Sequence, residues 1–91
     1  MATIRIPTQL RRYCGGLAEL RFASGDVRTA LGEIEKRHPA LYGCICDEAG
    51  SVRRHVNVFV NQDNIRDRDG PDTPLAAGDM VTILPAVSGG G

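Results

Sequence analysis

The chain has 91 residues, of which 42% are hydrophobic and 24% charged, a composition typical of one small globular domain rather than a disordered chain. Its eleven basic and eleven acidic residues cancel to a formal net charge of zero, whereas a nucleic-acid module normally has a basic excess. No apolar run of membrane-spanning length and no secretory signal pattern is visible in the sequence. We therefore expect a cytoplasmic protein that binds neither membranes nor nucleic acid.

Two short alternating segments open the chain. Residues 3–6 and 18–22 both alternate polar and apolar side chains, which predicts two half-buried strands. Gly15 and Gly16 lie between them and favour a turn. The start of the chain is therefore predicted to form a hairpin.

A helix is predicted next, with Asp26 as its N-cap. The apolar residues that follow recur at helical spacing and are Val27, Ala30, Leu31 and Ile34, with His38 at the next position of the pattern. Glu33 and Arg37 are spaced as an i, i+4 ion pair on the polar side. Pro39 should end this helix. Residues 40–54, with two glycines and mixed polarity, predict an irregular crossover.

The second half begins with the clearest strand pattern. Residues 55–61 place three valines on one face and Asn57, Phe59 and Asn61 on the other. A short strand around Ile65 is predicted to follow.

The remaining segments are a predicted loop, a turn and a last strand. Residues 70–74 contain glycine and two prolines and predict the loop. Gly78 and Asp79 predict the turn, and residues 80–84 predict the strand.

This order of elements predicts an α+β fold, with one main helix across one face of a mixed sheet of four to five strands. It is the β-grasp arrangement of ubiquitin. We expect the domain to span residues 1–87 and a flexible tail to span residues 88–91.

The tail consists largely of Gly89, Gly90 and Gly91. Glycines lack side chains, so such a tail can enter a narrow pocket of another enzyme. The α-carboxylate is anionic near neutral pH and can attack the α-phosphate of ATP to form an acyl-adenylate. The sequence therefore predicts a substrate of another enzyme, with no catalytic residue of its own. The alternative is an unstructured terminus or a cloning remnant.

Phe59, Leu84 and Pro85 are candidates for partner docking. Alternation predicts that Phe59 and Leu84 point to the face of the sheet that the helix does not cover. If their strands are neighbours, these side chains and Pro85 form an exposed apolar patch. The alternative is that they are ordinary single exposed apolar residues.

The cysteines indicate neither a disulfide framework nor a metal site. Cys14, Cys44 and Cys46 are odd in number, and such a count in a chain without a secretory signal is unlike a disulfide scaffold. Structural zinc sites are usually tetrahedral, and the spacing of the cysteines relative to His38 and His55 fits no known zinc pattern. We expect ordinary thiols and no bound metal.

Basic residues cluster before the main strand and after Ile65. We interpret them as mixed surface charge, because acidic residues lie nearby, with binding to an acidic partner as the alternative. The basic residues are Arg53, Arg54, Arg66 and Arg68, and the acidic ones are Asp63, Asp67 and Asp69.

The sequence resembles the ubiquitin-like sulfur carriers of the MoaD, ThiS and CysO type, nearest the CysO-type carrier of cysteine biosynthesis. Of the matching features, the most specific is a Thr-Ile-Leu-Pro-Ala-Val segment leading into glycines. The matching segments cover almost the whole chain and are residues 6–8, 15–16, 56–61, 78–79 and 81–91.

The resemblance implies that the carrier binds no cofactor itself. A partner similar to ubiquitin-activating enzymes would use ATP to adenylate the terminal glycine, which is then converted to a thiocarboxylate. The sulfur would pass to an acceptor enzyme, which for the CysO type is a pyridoxal-phosphate-dependent cysteine synthase.

The family usually ends in Gly-Gly, which aligns here with Gly89 and Gly90. The resemblance therefore implies a thiocarboxylate at Gly91 if the partner accepts a tail one residue longer, or at Gly90 if a protease trims Gly91. Carriers for molybdopterin or thiamin synthesis, a protein modifier joined to lysines, and an inert interaction domain are the alternatives.

Overall fold

The structure, a computed structural model, describes residues 1–23 and 25–85. The predicted glycine tail and the domain boundary at residue 87 lie outside the described residues. The strands are β1 (Ala2–Arg5), β2 (Glu19–Phe22), β3 (Val56–Val60), β4 (Asp63–Asn64) and β5 (Met80–Pro85). The helices are α1 (Val27–Arg37) and α2 (Pro39–Ile45), and short 3-10 helices span Thr8–Cys14, Ile65–Asp67 and Gly70–Asp72.

The strands form one five-stranded sheet in the order β2-β1-β5-β3-β4. β1 and β5 are parallel, and the other neighbouring pairs are antiparallel. The predicted mixed sheet and the opening antiparallel pair of β1 and β2 are therefore confirmed.

Strand alternation gives the sheet one buried and one open face. Side chains at every second strand position join a single core, and they are Ala2, Ile4, Leu20, Phe22, Val56, Val58, Val60, Val81 and Ile83. The apolar residues of α1 belong to the same core, which places this helix against the buried face. The predicted strand faces are thus correct, since a shift of one residue would have reversed them.

Helix α1 begins as predicted. The Asp26 carboxylate accepts hydrogen bonds from the Thr29 backbone N–H and hydroxyl, both at 2.7 Å, and so satisfies a donor that the helix leaves free. Glu33 and Arg37 form the expected ion pair, at 3.4 Å.

The prediction of an irregular crossover over residues 40–54 is partly wrong, because Pro39 ends α1 and also begins α2. Proline cannot continue a helix, but it fits the first position of a new one, where its missing N–H is not needed. Leu41 and Ile45, four residues apart, are both buried and anchor α2 in the core.

Three smaller predictions also need correction. The link between β1 and β2 contains the 3-10 helix Thr8–Cys14 as well as the glycine turn. The short strand lies at Asp63–Asn64, just before Ile65, which instead begins a 3-10 helix. The predicted loop at residues 70–74 contains the 3-10 helix Gly70–Asp72. Short 3-10 helices of one or two turns have little periodicity, so sequence pattern does not reveal them.

Two neighbouring residues of β5 test this assignment of the sheet faces. Ile83 is fully buried and Leu84 is 47% exposed. We expect Ile83→Ala to lower the free energy of unfolding by about 2–5 kcal/mol, because it leaves a cavity. Leu84→Ala should cost less than about 1 kcal/mol. Urea denaturation of both variants measures the difference, and a larger loss for Leu84→Ala would mean that the faces are reversed.

Candidate functional site

The candidate site is the C-terminal end of β5 and the open face around it. β5 lies between β1 and β3 in the sheet. Its last two residues are registered against the start of β3, with Leu84 opposite Asn57 and Pro85 opposite Val56. The last described residues of β5 are therefore held by pairing with β3, and the predicted tail follows them in the sequence.

The structure places two of the three predicted docking residues, Phe59 and Leu84, on one face of the sheet, whereas Pro85 is registered opposite buried Val56 and so points to the other face. Phe59 and Leu84 lie on the open face, on adjacent strands, and Phe59 is registered opposite Thr82. Two residues along β5 from Thr82, Leu84 is a diagonal neighbour of Phe59, within reach for large side chains. Leu84 is exposed, whereas Phe59 and Pro85 are only partly exposed.

Phe59 is less exposed than we expected, because strands flank it on both sides. It pairs with Asn64 of β4 as well as with Thr82 of β5. Leu84 is therefore the main exposed apolar side chain of this patch. The docking role itself stays a prediction.

A polar clasp at the other end of β5 sets its register. The Asp79 carboxylate accepts hydrogen bonds from the Ala76 backbone N–H at 2.8 Å and from the Asn61 side-chain amide at 3.2 Å. The Asn61 side-chain oxygen accepts from the Met80 N–H at 3.0 Å, and the Asn61 N–H donates to the Met80 carbonyl at 2.7 Å. Positive φ angles at Asn61 (56°) and Gly78 (87°) allow these turns. The clasp thereby fixes the register of β5 against β3, and with it the residues that lie at the C-terminal end of β5.

The clasp also lowers the pKa of Asp79 below its ordinary value of 3.8. The main cause is the hydrogen bond from the Ala76 backbone N–H, followed by the one from Asn61. Both donors favour the ionised carboxylate.

This shift predicts how acid affects stability. A carboxyl group whose pKa is lowered by folding contributes stability above its unfolded pKa and loses it as the pH falls through its folded pKa. For Asp79 the contribution is therefore present above about pH 4 and lost below it. Asp79→Asn should lower stability at pH 7, because the neutral amide accepts weaker hydrogen bonds, and should flatten the loss of stability below pH 4.

Urea titrations between pH 7 and pH 2 measure this effect. Asp67→Asn is the control, because Asp67 is exposed and accepts no side-chain hydrogen bond among residues 1–23 and 25–85. If both variants changed the pH profile equally, the clasp would not be the source of the effect.

The cysteines lie away from any recognisable site. Cys14 and Cys46 are buried and Cys44 is partly buried, and all three are free thiols. Burial is the main cause that raises the pKa of Cys46, which keeps its thiol protonated near neutral pH and weakly reactive. In the described part of the chain, His, Cys, Asp and Glu side chains do not gather in a group able to hold a metal.

No helix within residues 1–23 and 25–85 is long and apolar enough to cross a bilayer.

The fold and the position of this site define a ubiquitin-like β-grasp protein. The sequence matches the ThiS family over residues 4–90, and the chain belongs to this family.

Similar proteins carry two kinds of names. Sulfur carrier protein CysO of Mycobacterium tuberculosis is 40% identical over 97% of both chains. Small archaeal modifier protein 3 of Haloferax volcanii is 38% identical over 72% of this chain and 67% of that protein. The crystal structure of the BexX/CysO complex of Amycolatopsis orientalis contains a chain with 32% identity and a TM-score of 0.89, covering 97% of this chain and 98% of that one.

Proposed function

We propose that this protein is a sulfur carrier that acts as a protein cosubstrate and not as an enzyme. The observation that carries the proposal is the end of β5, which lies beside an apolar patch on the open face of the sheet and precedes the glycines in the sequence. Similarity to CysO over almost the full length supports the same role.

The chemistry takes place at the terminal carboxylate. In the active site of an adenylating enzyme, a carboxylate oxygen attacks the α-phosphorus of ATP, and pyrophosphate leaves. Hydrosulfide then attacks the carbonyl carbon of the acyl-adenylate, and AMP leaves to give a thiocarboxylate. The reacting residue is Gly91, or Gly90 after removal of Gly91 by a protease. Both steps use catalytic groups of the partner.

The fold contributes presentation and recognition. A domain with one continuous core holds the last described residues of β5 in a fixed place, and Leu84 and Phe59 provide the surface on which the adenylating enzyme docks. The acceptor of the sulfur is an enzyme of cysteine biosynthesis that uses pyridoxal phosphate. The thiocarboxylate sulfur would attack an electrophilic carbon of the acceptor's substrate to form a thioester, and hydrolysis would then break the bond between sulfur and the carbonyl carbon and restore the carrier's carboxylate.

The second candidate function is protein modification. Similarity to small archaeal modifier protein 3 favours it, and it begins with the same adenylate. The two functions diverge afterwards, since a modifier forms isopeptide bonds with lysines of target proteins. Conjugates of higher mass in a cell extract that disappear when the glycines are deleted would indicate modification.

Deletion of residues 89–91 tests the role of the tail. We expect the free energy of unfolding to change by less than about 0.5 kcal/mol, because the core ends within β5. ATP–pyrophosphate exchange by the adenylating enzyme of the same organism should be abolished. A large loss of stability, or unchanged exchange, would contradict the proposal.

Leu84→Asp tests the docking patch. We expect the KM of the adenylating enzyme for this protein to rise about fivefold or more, because a charge replaces the most exposed apolar contact. Folding should be unaffected, since this side chain is already exposed. Ala40→Asp, on the exposed side of α2, adds the same charge away from the patch and serves as the control. Equal effects of the two variants on KM would rule out this docking surface.

A further inference from the structure

Several basic residues lie near the end of β5. Arg54 and His55 are both exposed and form the turn that directly precedes β3. Because Val56 is registered opposite Pro85, this turn lies next to the last described residue of β5. Arg53 comes just before the turn.

Arg66 also lies close to this turn, although it belongs to the 3-10 helix Ile65–Asp67 that follows β4. Its guanidinium group donates hydrogen bonds to the Asn57 side-chain oxygen at 2.7 Å and to the Arg53 carbonyl at 3.0 Å. Asn57 is registered opposite Leu84. The Arg66 guanidinium is therefore held one strand away from the predicted docking patch.

Two other arginines near these residues or in the same loops form ion pairs with acidic side chains. Arg68 forms an ion pair with Asp63 at 3.0 Å, and Arg28 forms one with Asp72 at 3.1 Å. Within residues 1–23 and 25–85, none of the ion pairs includes Arg53, Arg54 or Arg66. The structure thus separates basic residues that the sequence alone grouped as mixed surface charge.

The cluster is also partly preorganised. Arg53 donates from Nε to the Gly43 carbonyl at 2.9 Å, and Arg66 is held by the two bonds described above. A guanidinium group that is already oriented loses less conformational entropy when it binds a carboxylate, and its planar donors match a carboxylate in a bidentate arrangement.

We propose that Arg53, Arg54 and Arg66 form a basic cluster that binds an acidic surface of the adenylating enzyme. This assignment rests on the proposed function, because the enzyme that acts on the tail must approach the end of β5, where these arginines lie. Arg66 bonds to Asn57, the residue registered opposite Leu84, so one partner surface can contact both the cluster and Leu84. Its charges increase the rate and selectivity of the encounter.

An acidic protein surface fits better than nucleic acid. The chain has a formal net charge of zero, and the basic cluster is local rather than a stripe along one face.

The test is an NMR titration of the full-length ¹⁵N-labelled protein with a synthetic peptide of alternating glutamate and glycine. We expect the largest amide shift changes at residues 53–57, at Arg66 and at Leu84. Binding should weaken as the salt concentration rises from 50 to 500 mM, because exposed charges are screened within roughly 10 Å at 0.1 M salt and more strongly above it. Oligothymidylate of equal charge is titrated in parallel.

Two charge-reversal variants sharpen the test. Arg54→Glu should raise the Kd for the peptide at least about threefold, because reversal replaces attraction with repulsion. Lys36→Glu makes the same change in charge and should have no effect. Lys36 lies in the last turn of α1, where the neighbouring Arg37 contacts β2 at the opposite edge of the sheet. Amide spectra of both variants show whether the fold is intact.

Equal weakening by both variants, or shift changes spread over Arg28 and Arg68, would overturn the proposal. Tighter binding of oligothymidylate than of the peptide at the same residues would also overturn it. The titration needs neither ATP nor a modified tail. Failure of peptide binding together with normal adenylation would therefore reject only the basic cluster, whereas normal peptide binding without adenylation would reject only the sulfur-carrier function.

Discussion

Strand β5 pairs in parallel with β1 over residues 80–82 and antiparallel with β3 over residues 81–85. The remaining features of the site follow from the register that these two pairings set. Register fixes Ile83 in the core and Leu84 on the open face, because successive strand residues point to opposite sides. The Asn61–Asp79 clasp secures the start of the strand. Its last described residue, Pro85, therefore has a defined position beside the turn before β3.

This arrangement separates three tasks within one small domain. The buried face of the sheet and the two α-helices supply stability through one core. In the proposed function, Leu84 on the open face and the basic cluster serve recognition, at positions where substitutions cost little stability. In the same proposal, the glycines that follow in the sequence carry the reactive carboxylate. For a sulfur carrier built in this way, specificity comes from the domain and reactivity comes from the tail.

Long regular patterns made much of this predictable. The alternation in β3 and β5 identified both the core valines and the open face, and the spacing after Asp26 identified α1. α2 was missed because Pro39 was interpreted only as the end of α1, although a proline also fits the first position of a new helix. The buried pair Leu41 and Ile45 at i, i+4 spacing was a usable signal for α2. The clasp depends on contacts between residues distant in sequence, which a pattern of residue types does not encode. The different partners of Arg66 and Arg68 depend on the direction of each side chain, which such a pattern does not encode either.

The most direct test of the sulfur-carrier function is intact-protein mass spectrometry of the chain purified from its own cells, with fragmentation at the C-terminus. We predict that one terminal oxygen is replaced by sulfur in a fraction of the molecules, and the fragment spectrum assigns the sulfur to Gly90 or Gly91. Two results together would contradict this function. They are an unmodified carboxylate in the protein from those cells, and no conversion of that carboxylate when the adenylating enzyme, ATP and a sulfur donor are added.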